Sequence, residues 1–452
     1  MKSITLVGAG LAGSLLSVYL AKKGIKVDLF EKRPDMRKEK VEAGRSINLA
    51  LSNRGIFALK EIGLYEEIKK IAIPMYGRMM HAIDSQLTFQ RYGKDDSEYI
   101  NSVSRAELNK KMLTLAEEYK NIKINFSHRC TGFDPEKKKC FFVDDSSGEK
   151  KVINSETIIG TDGSASALRM DMLKLPGFNF SQEYLEHGYK ELTIPAGDNG
   201  SFRMEKNALH IWPRGTFMLI ALPNLDGSFT CTLFHPFEGE EGLNALNNEA
   251  KIKSFFEKYF PDALDLIPGL TSSFLQNPTG SLITVKCAPW YYKDILCLLG
   301  DASHAIVPFF GQGMNAAFED CTVLNQCIDE LGDDWNKIYP EFFARRKSNT
   351  DSIADLANEN FIEMRDKVGD GKFLLKKKVE HILEERYPDK FIPKYSMVTF
   401  HRMPYSVART RGLTQERILE ELVENITDVE KVDLEKADIL IKDYLSDLEY
   451  KE

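Results

Sequence analysis

Residues 300–315 read Gly-Asp-Ala-Ser-His-Ala-Ile-Val-Pro-Phe-Phe-Gly-Gln-Gly-Met-Asn, and this stretch decides the fold. An apolar strand is predicted directly before it and a helix directly after it. Gly300 and Asp301 end the strand with a small residue and a carboxylate that can accept a hydrogen bond from a sugar hydroxyl. Gly311 and Gly313 let backbone N–H groups approach a flat ligand at the helix start, where the helix dipole stabilises negative charge. The simpler alternative is an ordinary glycine-rich connection between a strand and a helix.

The N-terminus carries a second ligand-binding pattern. Residues 8–13 read Gly-Ala-Gly-Leu-Ala-Gly between a short apolar strand and a helix, and Glu31 ends the next strand. This order and spacing is that of a dinucleotide site, in which Gly8 makes the tight turn, Gly10 lets a pyrophosphate approach and Gly13 lets helix and strand pack closely. Glu31 can accept from a ribose hydroxyl, which fits FAD or NAD and would repel a 2′-phosphate. Because a flavin ring gains charge on reduction, we place a flavin at the helix start described above.

A third strand end has similar chemistry. Residues 157–160 predict a buried strand, and Asp162 follows it with a glycine and small residues. Arg105 begins a predicted helix that Ser104 caps, where it could reach a phosphate; a solvated arginine is the alternative. The chain has no second complete strand–GxGxxG–helix unit for a nicotinamide cofactor. The sequence therefore predicts one tightly bound dinucleotide.

The composition is typical of a soluble globular protein with two or three domains. The chain has 452 residues, of which 43% are hydrophobic and 28% charged. A net charge of −8 gives no broad attraction to nucleic acid or anionic lipid. The seven cysteines are dispersed, with no CxxC pair, which favours a reducing compartment over a disulfide framework. We expect no metal site, no signal peptide and no membrane span.

One tightly bound dinucleotide and an inserted antiparallel sheet, predicted from short alternating strands near residues 187–237, resemble the flavin-dependent aromatic hydroxylases. The architecture is similar to that of p-hydroxybenzoate hydroxylase. Four segments resemble the kynurenine 3-monooxygenase family more closely: His-Ala-Ile-Val-Pro-Phe-Phe-Gly-Gln-Gly-Met-Asn-Ala-Ala-Phe-Glu-Asp-Cys at 304–321, Gly-Arg-Ser-Ile-Asn-Leu-Ala-Leu-Ser at 44–52, Asn-Phe-Ile-Glu-Met-Arg at 360–365 and Tyr-Ser-Met-Val-Thr-Phe at 395–400. The resemblance covers nearly the whole chain.

The resemblance implies an α/β fold in which an FAD-binding Rossmann-like domain carries an inserted antiparallel β-sheet substrate domain and a C-terminal helical region. The expected boundaries are 1–75, 100–180 and 280–330 for the FAD domain, 76–99 and 181–279 for the substrate domain, and 331–452 for the helical region. It also implies that FAD is held non-covalently, is reduced by a transiently bound NADPH and forms a C4a-hydroperoxyflavin with O₂. One oxygen atom would then pass to C3 of L-kynurenine, giving 3-hydroxykynurenine and water.

The family's binding residues map onto this sequence. Arg78 would hold the substrate carboxylate as a bidentate fork, and Tyr395 would also reach it. Asn360 and Glu363 lie one helical turn apart and would bind the amino-acid end and the aniline region. From position alone, Arg78 could be a surface arginine, and the other two could be a solvated helix face. The full substrate set is Arg78, Tyr92, Phe309, Phe310, Asn360, Glu363, Met364 and Tyr395, with the two phenylalanines forming a wall around the ring that keeps water away.

The cofactor set implied in the same way is Gly8, Gly10, Gly13, Glu31, Arg33, Arg45, Leu49, Arg105, Asp162, Gly300, Asp301, Pro308, Gly311, Gly313, Met314 and Asn315. No residue is assigned as a catalytic acid or base, because the aniline nitrogen already donates electron density to the ring. His304 is therefore expected to be structural.

Two other functions compete with this hypothesis. One is a related hydroxylase that acts on another aromatic acid; Asn360, Glu363 and Tyr395 argue against it. The other is a flavin-fold binding protein without redox chemistry, as in Rab GDP-dissociation inhibitors, which predicts a decayed flavin edge. Eukaryotic members of the family carry a hydrophobic C-terminal anchor, whereas residues 447–452 read Asp-Leu-Glu-Tyr-Lys-Glu. We therefore expect a soluble, cytoplasmic, bacterial enzyme without a membrane anchor, as a monomer or homodimer.

Overall fold

The computed structural model describes residues 3–38, 48–364 and 371–448. The chain divides into two compact units, each built from three stretches of sequence. The first comprises Met1–Ile73, Ser102–Leu185 and Leu282–Ala354, and the second comprises Pro74–Asn101, Glu186–Ser281 and Asp355–Glu452. The predicted α/β fold with an inserted antiparallel sheet and a helical C-terminal region is confirmed. The finer domain boundaries stay a prediction; in this division, the helices after residue 330 are shared between the two units.

The first unit is built on a six-stranded, mainly parallel sheet. Its strands lie in the order β18 (Tyr291–Tyr292), β19 (Leu296–Leu298), β12 (Thr157–Gly160), β1 (Ser3–Val7), β2 (Lys26–Phe30) and β8 (Ile122–Asn125). Parallel pairing joins β19 through to β8, and β18 runs antiparallel at the edge. The central strands are apolar and buried almost throughout, as expected for parallel strands covered on both faces.

Helices surround this sheet in the first unit. They are α1 (Leu11–Lys22), α2 (Asn53–Glu61), α3 (Tyr65–Lys69), α4 (Arg105–Glu117), α5 (Ala167–Met172), α9 (Asp301–His304) and α10 (Gly313–Leu331), with a 3₁₀ turn at Pro308–Phe310. The helix α1 contacts β1, β2, α4 and α10. Residues 13–21 of α1 are all buried, because its small and apolar side chains face neighbours on every side.

The described residues also form two three-stranded sheets. One has the order β11 (Lys150–Asn154), β10 (Lys139–Asp144) and β9 (His128–Asp134), and the other has the order β3 (Asn48–Leu51), β7 (Ile100–Ser104) and β4 (Ala72–Met75). The antiparallel pair β9 and β10 contains a bulge, where the register shifts between Phe141 and Phe142. Such a bulge adds an unpaired residue to one strand and bends it locally.

The second unit contains a seven-stranded sheet. Its order is β17 (Thr279–Ala288), β13 (Asn179–Ile194), β16 (Phe229–Pro236), β15 (Met218–Pro223), β14 (Ala208–Pro213), β5 (Gly77–His81) and β6 (Leu87–Arg91). Pairing is antiparallel between β13, β16, β15 and β14, whereas β14 and β5 are parallel. The hairpin that joins β5 to β6 turns at Ser85, whose φ is 66°.

Helices complete the second unit in two groups. The first group packs on the sheet and comprises α6 (Glu249–Tyr259), α7 (Pro261–Leu264) and α8 (Leu270–Gln276). The second comprises α12 (Gly371–Arg386), α13 (Lys394–Thr399), α14 (Tyr405–Val423) and α15 (Leu434–Tyr444). Helices α12, α14 and α15 share an apolar core that includes Val379, Leu383, Ile418, Leu422 and Ile441. The long helix α11 (Trp335–Ile362) is assigned to the first unit up to Ala354 and to the second unit from Asp355.

Candidate active site

The carboxyl ends of four parallel strands in the first unit lead into predicted cofactor residues. Gly8 follows β1, Glu31 follows β2, Asp162 lies two residues after β12 and Gly300 two residues after β19. Since parallel strands place their carboxyl ends at one edge of a sheet, these residues share the edge at which open α/β sheets bind ligands.

The three glycines of the first loop meet different surroundings. Gly8 has a φ of 103°, and a Cβ there would lie 2.5 Å from the carbonyl oxygen of Thr161. A Cβ at Gly13 would lie 1.9 Å from the carbonyl oxygen of Gly8, so the start of α1 packs directly on the turn. A Cβ at Gly10 would meet no atom within 4 Å. Gly8 and Gly13 are therefore needed for packing, whereas the space beside Gly10 is open.

Glu31 is held in place by the loop that it follows. Its Oε2 accepts a hydrogen bond from the backbone N–H of Ala9 at 2.8 Å, and its Oε1 accepts from the backbone N–H and the Nε of Arg33 at 2.9 and 2.8 Å. Burial opposes ionisation, but the hydrogen bonds and charge of Arg33 outweigh it and hold the pKa of Glu31 below its ordinary value. The buried carboxylate is thus a fixed acceptor at the end of β2.

Asp162 has one satisfied and one unsatisfied oxygen. Its Oδ2 accepts from the backbone N–H of Ala167 at 2.8 Å, while its Oδ1 is buried without a partner among the described residues. Burial raises the pKa of this carboxyl group. Arg169 fixes the same loop, because its guanidinium donates to the carbonyl oxygens of Ser164 and Ala302. The loops after β12 and β19 are therefore tied to each other.

The stretch at 300–315 forms a turn, a short helix and a 3₁₀ turn before α10. Asp301 is exposed at the start of α9, and Gly311 has a φ of 66°. Asn315 uses its side chain within the protein: Nδ2 donates to the carbonyl oxygens of Ala50 at 2.8 Å and Gly311 at 2.9 Å, and Oδ1 accepts from the backbone N–H of Ser52 at 3.0 Å. Asn315 thus joins the start of α10 to the end of β3.

A buried ionic network lies behind this turn. Asp320 accepts from His304, from the backbone N–H of Gly300 at 3.1 Å and from Arg346 at 2.6 Å. Arg346 also pairs with Glu319, which accepts from Arg54 at 3.0 Å. Burial alone would raise the pKa of Asp320, but His304 and Arg346 outweigh it, so the pKa lies below its ordinary value. His304 belongs to this network, as a structural role predicts.

The second unit brings three of the predicted substrate residues together. The guanidinium carbon of Arg78 lies 5.5 Å from the ring centroid of Tyr92 and 5.0 Å from that of Tyr395. The two tyrosine rings are stacked, with centroids 5.4 Å apart and an angle of 10° between their planes. Both the Nε of Arg78 and the hydroxyl of Tyr92 are buried and lack a hydrogen-bond partner among the described residues. Burial raises the pKa of both phenols, so they stay protonated donors.

Further charges surround this cluster. Burial opposes the charge on Arg78, but Tyr395, Tyr92 and Glu363 outweigh it and raise the pKa of the guanidinium. Lys377 of α12 is influenced in the same way: burial is outweighed mainly by Glu380, whose carboxylate lies 2.8 Å from Nζ, and then by Glu363. The field of Glu363 therefore reaches two cations. Lys377 could not be singled out by sequence analysis, because it lies in a Lys-Lys-Lys run that is typical of a solvated helix face.

The remaining substrate residues lie at the end of α11 and in the first unit. Asn360 is buried and donates from Nδ2 to the Sδ of Met364 at 3.3 Å. Glu363 lies just beyond the end of α11 and is half-buried. Phe309 and Phe310 are both buried in the 3₁₀ turn before α10.

Comparison with known proteins gives the chain its family. Residues 2–222 match the family described as FAD binding domain. The chain is 51% identical to the kynurenine 3-monooxygenase of Myxococcus xanthus, over 98% of this chain and 96% of that protein. It is 49% identical to the kynurenine 3-monooxygenase of Dictyostelium discoideum, over 98% of both chains. The chain belongs to the kynurenine 3-monooxygenase family.

A solved structure outside this family shares the fold. The tetrameric form of 2-methyl-3-hydroxypyridine-5-carboxylic acid oxygenase superposes with a TM-score of 0.66 at 18% identity, over 81% of this chain and 94% of that one. The α/β architecture of this kynurenine 3-monooxygenase family member is therefore the one found in that oxygenase. No helix within residues 3–38, 48–364 and 371–448 is long and apolar enough to cross a membrane.

The described residues of this family member fit FAD. The unsatisfied Oδ1 of Asp162 can accept from a cofactor donor, the space beside Gly10 can admit a pyrophosphate, and Glu31 and Asp301 supply carboxylates for hydroxyl groups. FAD is the bound cofactor of the family member. Sequence analysis did not identify Asn109, a buried residue of α4. Its side chain donates to the carbonyl oxygen of Ala9 at 3.1 Å and so supports the glycine loop.

The other predicted cofactor residues have varied positions in this family member. Arg45 lies outside the described residues. Arg105 is exposed at the start of α4, whose cap is Ser104 as predicted. Leu49 is half-buried in β3, Pro308 is exposed, and Gly313 and Met314 begin α10. Their roles toward FAD stay predictions.

Proposed function

We propose that this chain hydroxylates L-kynurenine at C3, using bound FAD, NADPH and O₂, and releases 3-hydroxykynurenine. The single observation that carries the substrate side is the cluster of Arg78, Tyr92 and Tyr395. It presents the Nε of a half-buried guanidinium and a buried hydroxyl, and neither atom has a hydrogen-bond partner among the described residues. Such groups are costly unless a ligand satisfies them.

The chemistry of the cluster selects a carboxylate. A guanidinium can donate two parallel hydrogen bonds to the two oxygens of one carboxylate, and each bond is strengthened by charge. The phenols of Tyr92 and Tyr395 are kept protonated by burial and can donate to the same group. An α-amino acid bound here would place its carboxylate at Arg78.

Glu363 and Asn360 are proposed to bind the rest of the amino acid. The charge of Glu363 contributes to the raised pKa of Arg78, and its carboxylate is proposed to pair with the ammonium of the bound amino acid. The amide of Asn360 can donate and accept near the aniline end. Met364, Phe309 and Phe310 stay proposed apolar contacts of the substrate. These apolar side chains are proposed to keep water away from a reactive oxygen donor and so protect it from loss.

FAD supplies the chemistry that takes electrons from NADPH and activates O₂. The protein binds it through the strand ends described above: Glu31 is proposed to hold the adenosine ribose, and Asp301 a hydroxyl of the ribityl chain. No protein acid or base is assigned, because the aniline nitrogen of the substrate already makes C3 electron-rich. The residues of the chain bind, orient and exclude water.

The test measures NADPH consumption and product mass in the same reaction. Purified, FAD-loaded protein is mixed with NADPH in air, with and without L-kynurenine. We expect L-kynurenine to accelerate NADPH loss and a product one oxygen atom heavier to accumulate. If another aromatic acid accelerates the reaction and L-kynurenine does not, the substrate assignment is wrong. If no aromatic acid accelerates NADPH loss, the monooxygenase assignment is wrong.

The oligomeric state and the cellular location are also proposals. We propose a monomer or homodimer in the cytoplasm of a bacterial cell. Light scattering after size exclusion distinguishes one or two chains of 51.4 kDa from a larger assembly. Recovery of the full-length protein in the membrane pellet after cell lysis would contradict the cytoplasmic location.

A further inference from the structure

One pair of thiols in the first unit stands apart from the other cysteines. The Sγ atoms of Cys130 on β9 and Cys140 on β10 lie 3.6 Å apart. Both are placed to donate to the carbonyl oxygen of Gly132, at 3.8 and 3.6 Å. Elsewhere, thiols donate to backbone carbonyl oxygens and not to one another, as at Cys231, Cys287, Cys297 and Cys321.

The two cysteines differ in access to solvent. Cys140 is fully buried, whereas Cys130 is half-buried and is the most exposed of the seven. The hydrogen bond to Cys130 and burial raise the pKa of the Cys140 thiol, with a smaller contribution from Asp162. A dissolved oxidant therefore reaches Cys130 first, and the neighbouring Cys140 is a buried, protonated thiol.

The backbone between the strands can adjust. Cys130 is paired with Phe142 and Cys140 with Phe133, so the thiols are diagonal neighbours on one face of the sheet. The bulge lies between these two pairs, and Gly132 within it has a φ of 154°. A disulfide has a sulfur–sulfur distance of about 2.05 Å, so the sulfurs must approach by roughly 1.5 Å. A bulge is the part of a ladder where strands bend most easily.

We propose that Cys130 and Cys140 form an oxidisable dithiol, a site of disulfide formation by hydrogen peroxide. In the first step, the Cys130 sulfur attacks one peroxide oxygen, the O–O bond breaks, and sulfenic acid and water form. In the second step, the Cys140 sulfur attacks the Cys130 sulfur, the S–O bond breaks, and water leaves. Overall, two thiols lose two electrons and two protons, and one peroxide becomes two waters.

The test uses the FAD-loaded protein without NADPH or substrate, so that it does not depend on the proposed hydroxylation. Graded hydrogen peroxide is added and then removed with catalase, free thiols are alkylated, and the protein is digested with trypsin without reductant. Lys137, Lys138 and Lys139 lie between the cysteines, so trypsin places them on different peptides. We expect a cross-linked pair of peptides about 2 Da lighter than their sum, which dithiothreitol separates. Free thiols should fall by two from seven.

Three variants make the test specific. Cys130→Ser changes the more accessible member and should abolish the cross-link while leaving Cys140 alkylatable. Cys140→Ser should leave a sulfenic acid at Cys130 that dimedone traps. Cys231→Ala removes a buried thiol of the other unit and should leave the cross-link unchanged. The proposal is overturned if Cys130 reaches the sulfinic acid while Cys140 stays free. It is also overturned if both stay thiols at a dose that fully oxidises free cysteine.

Discussion

Replacement of Arg78 by methionine separates substrate recognition from stability. The guanidinium lies beside two tyrosine rings that stack on each other, at 5.5 Å from Tyr92 and 5.0 Å from Tyr395, within the ~6 Å range of a cation–π interaction. Its Nε is buried and has no partner among the described residues, so the substrate-free protein carries the cost of an unsatisfied donor on a half-buried cation. Methionine has a similar length, no charge and favourable contacts with aromatic rings.

The two free energies that this substitution changes have different sizes. Loss of two cation–π contacts costs about 1–2 kcal/mol each, and relief from the partial desolvation of the half-buried charge offsets part of this cost, so the free energy of unfolding should fall by no more than about 2 kcal/mol. Substrate binding loses a charge-assisted bidentate pair, which costs about 2–5 kcal/mol. At 1.4 kcal/mol per factor of ten, a loss of ~3 kcal/mol weakens binding by roughly 100-fold.

The assay titrates L-kynurenine into the oxidised, FAD-loaded protein and follows the flavin spectrum without NADPH. We expect Arg78→Met to raise the Kd of L-kynurenine roughly 100-fold. For the wild type, we expect a similarly raised Kd when the ligand is the amine that lacks the α-carboxylate. The variant should bind the acid and this amine about equally. Arg214→Met is the control, because Arg214 is a second arginine of the same unit that donates to backbone carbonyl oxygens. It should lower stability and leave Kd unchanged.

One result would refute this reasoning. If Arg78→Met binds L-kynurenine within threefold of the wild type, the carboxylate of the substrate is not at Arg78. A variant that loses binding and also melts far below the wild type would instead show that the cation supports the fold, which contradicts the calculated balance.

Three further predictions concern the first unit. Gly10→Ala should fold and bind FAD more weakly, whereas Gly13→Ala should fail to bind it, because its Cβ would lie 1.9 Å from a carbonyl oxygen; FAD titration of the apoproteins compares them. Burial raises the pKa of Asp162, so the folded apoprotein loses stability as pH rises from ~3.9 through the raised pKa. Asp162→Asn should therefore raise the apoprotein melting temperature above that of the wild type at pH 7 but not below about pH 3.5. The same difference between variant and wild type at both pH values would contradict this. Arg346→Met should cost about 3–5 kcal/mol in urea unfolding, because it removes the cation that pairs with both buried carboxylates, Glu319 and Asp320. Its less buried neighbour Arg345 is the control, and Arg345→Met should cost much less.

The cofactor side of the fold could be predicted from local sequence. A glycine loop must follow a strand and precede a helix, and the acid must end the next strand, so the whole unit lies within residues 3–31. The carboxyl ends of parallel strands lie at one edge of the sheet, so the strand assignments alone predict that Asp162 and Gly300 share an edge with Gly8. Here secondary structure alone determines which side chains become neighbours.

The substrate cluster could not be derived in this way. Arg78 lies on a short strand, Tyr92 follows the next strand, and Tyr395 is in a helix more than 300 positions along the chain. Nothing in their spacing predicts that the guanidinium lies beside the stacked rings, because that contact depends on how α13 packs within the second unit. The resemblance to a family named these residues; the geometry then supplied the physical reason, a buried donor that has no hydrogen-bond partner among the described residues.

Asn315 and Asp162 show why a motif is not a list of ligand contacts. Both stand in segments predicted to bind the cofactor, yet every hydrogen-bonding atom of the Asn315 side chain is used within the protein, whereas one oxygen of Asp162 is left buried and unsatisfied. A residue whose side chain is fully bonded shapes the loop and acts on the ligand through the backbone. A residue with a buried, unsatisfied atom has a reason to contact the ligand directly. A sequence motif does not distinguish residues that shape the loop from residues that contact the ligand. The hydrogen bonds of each side chain in the folded protein do distinguish them.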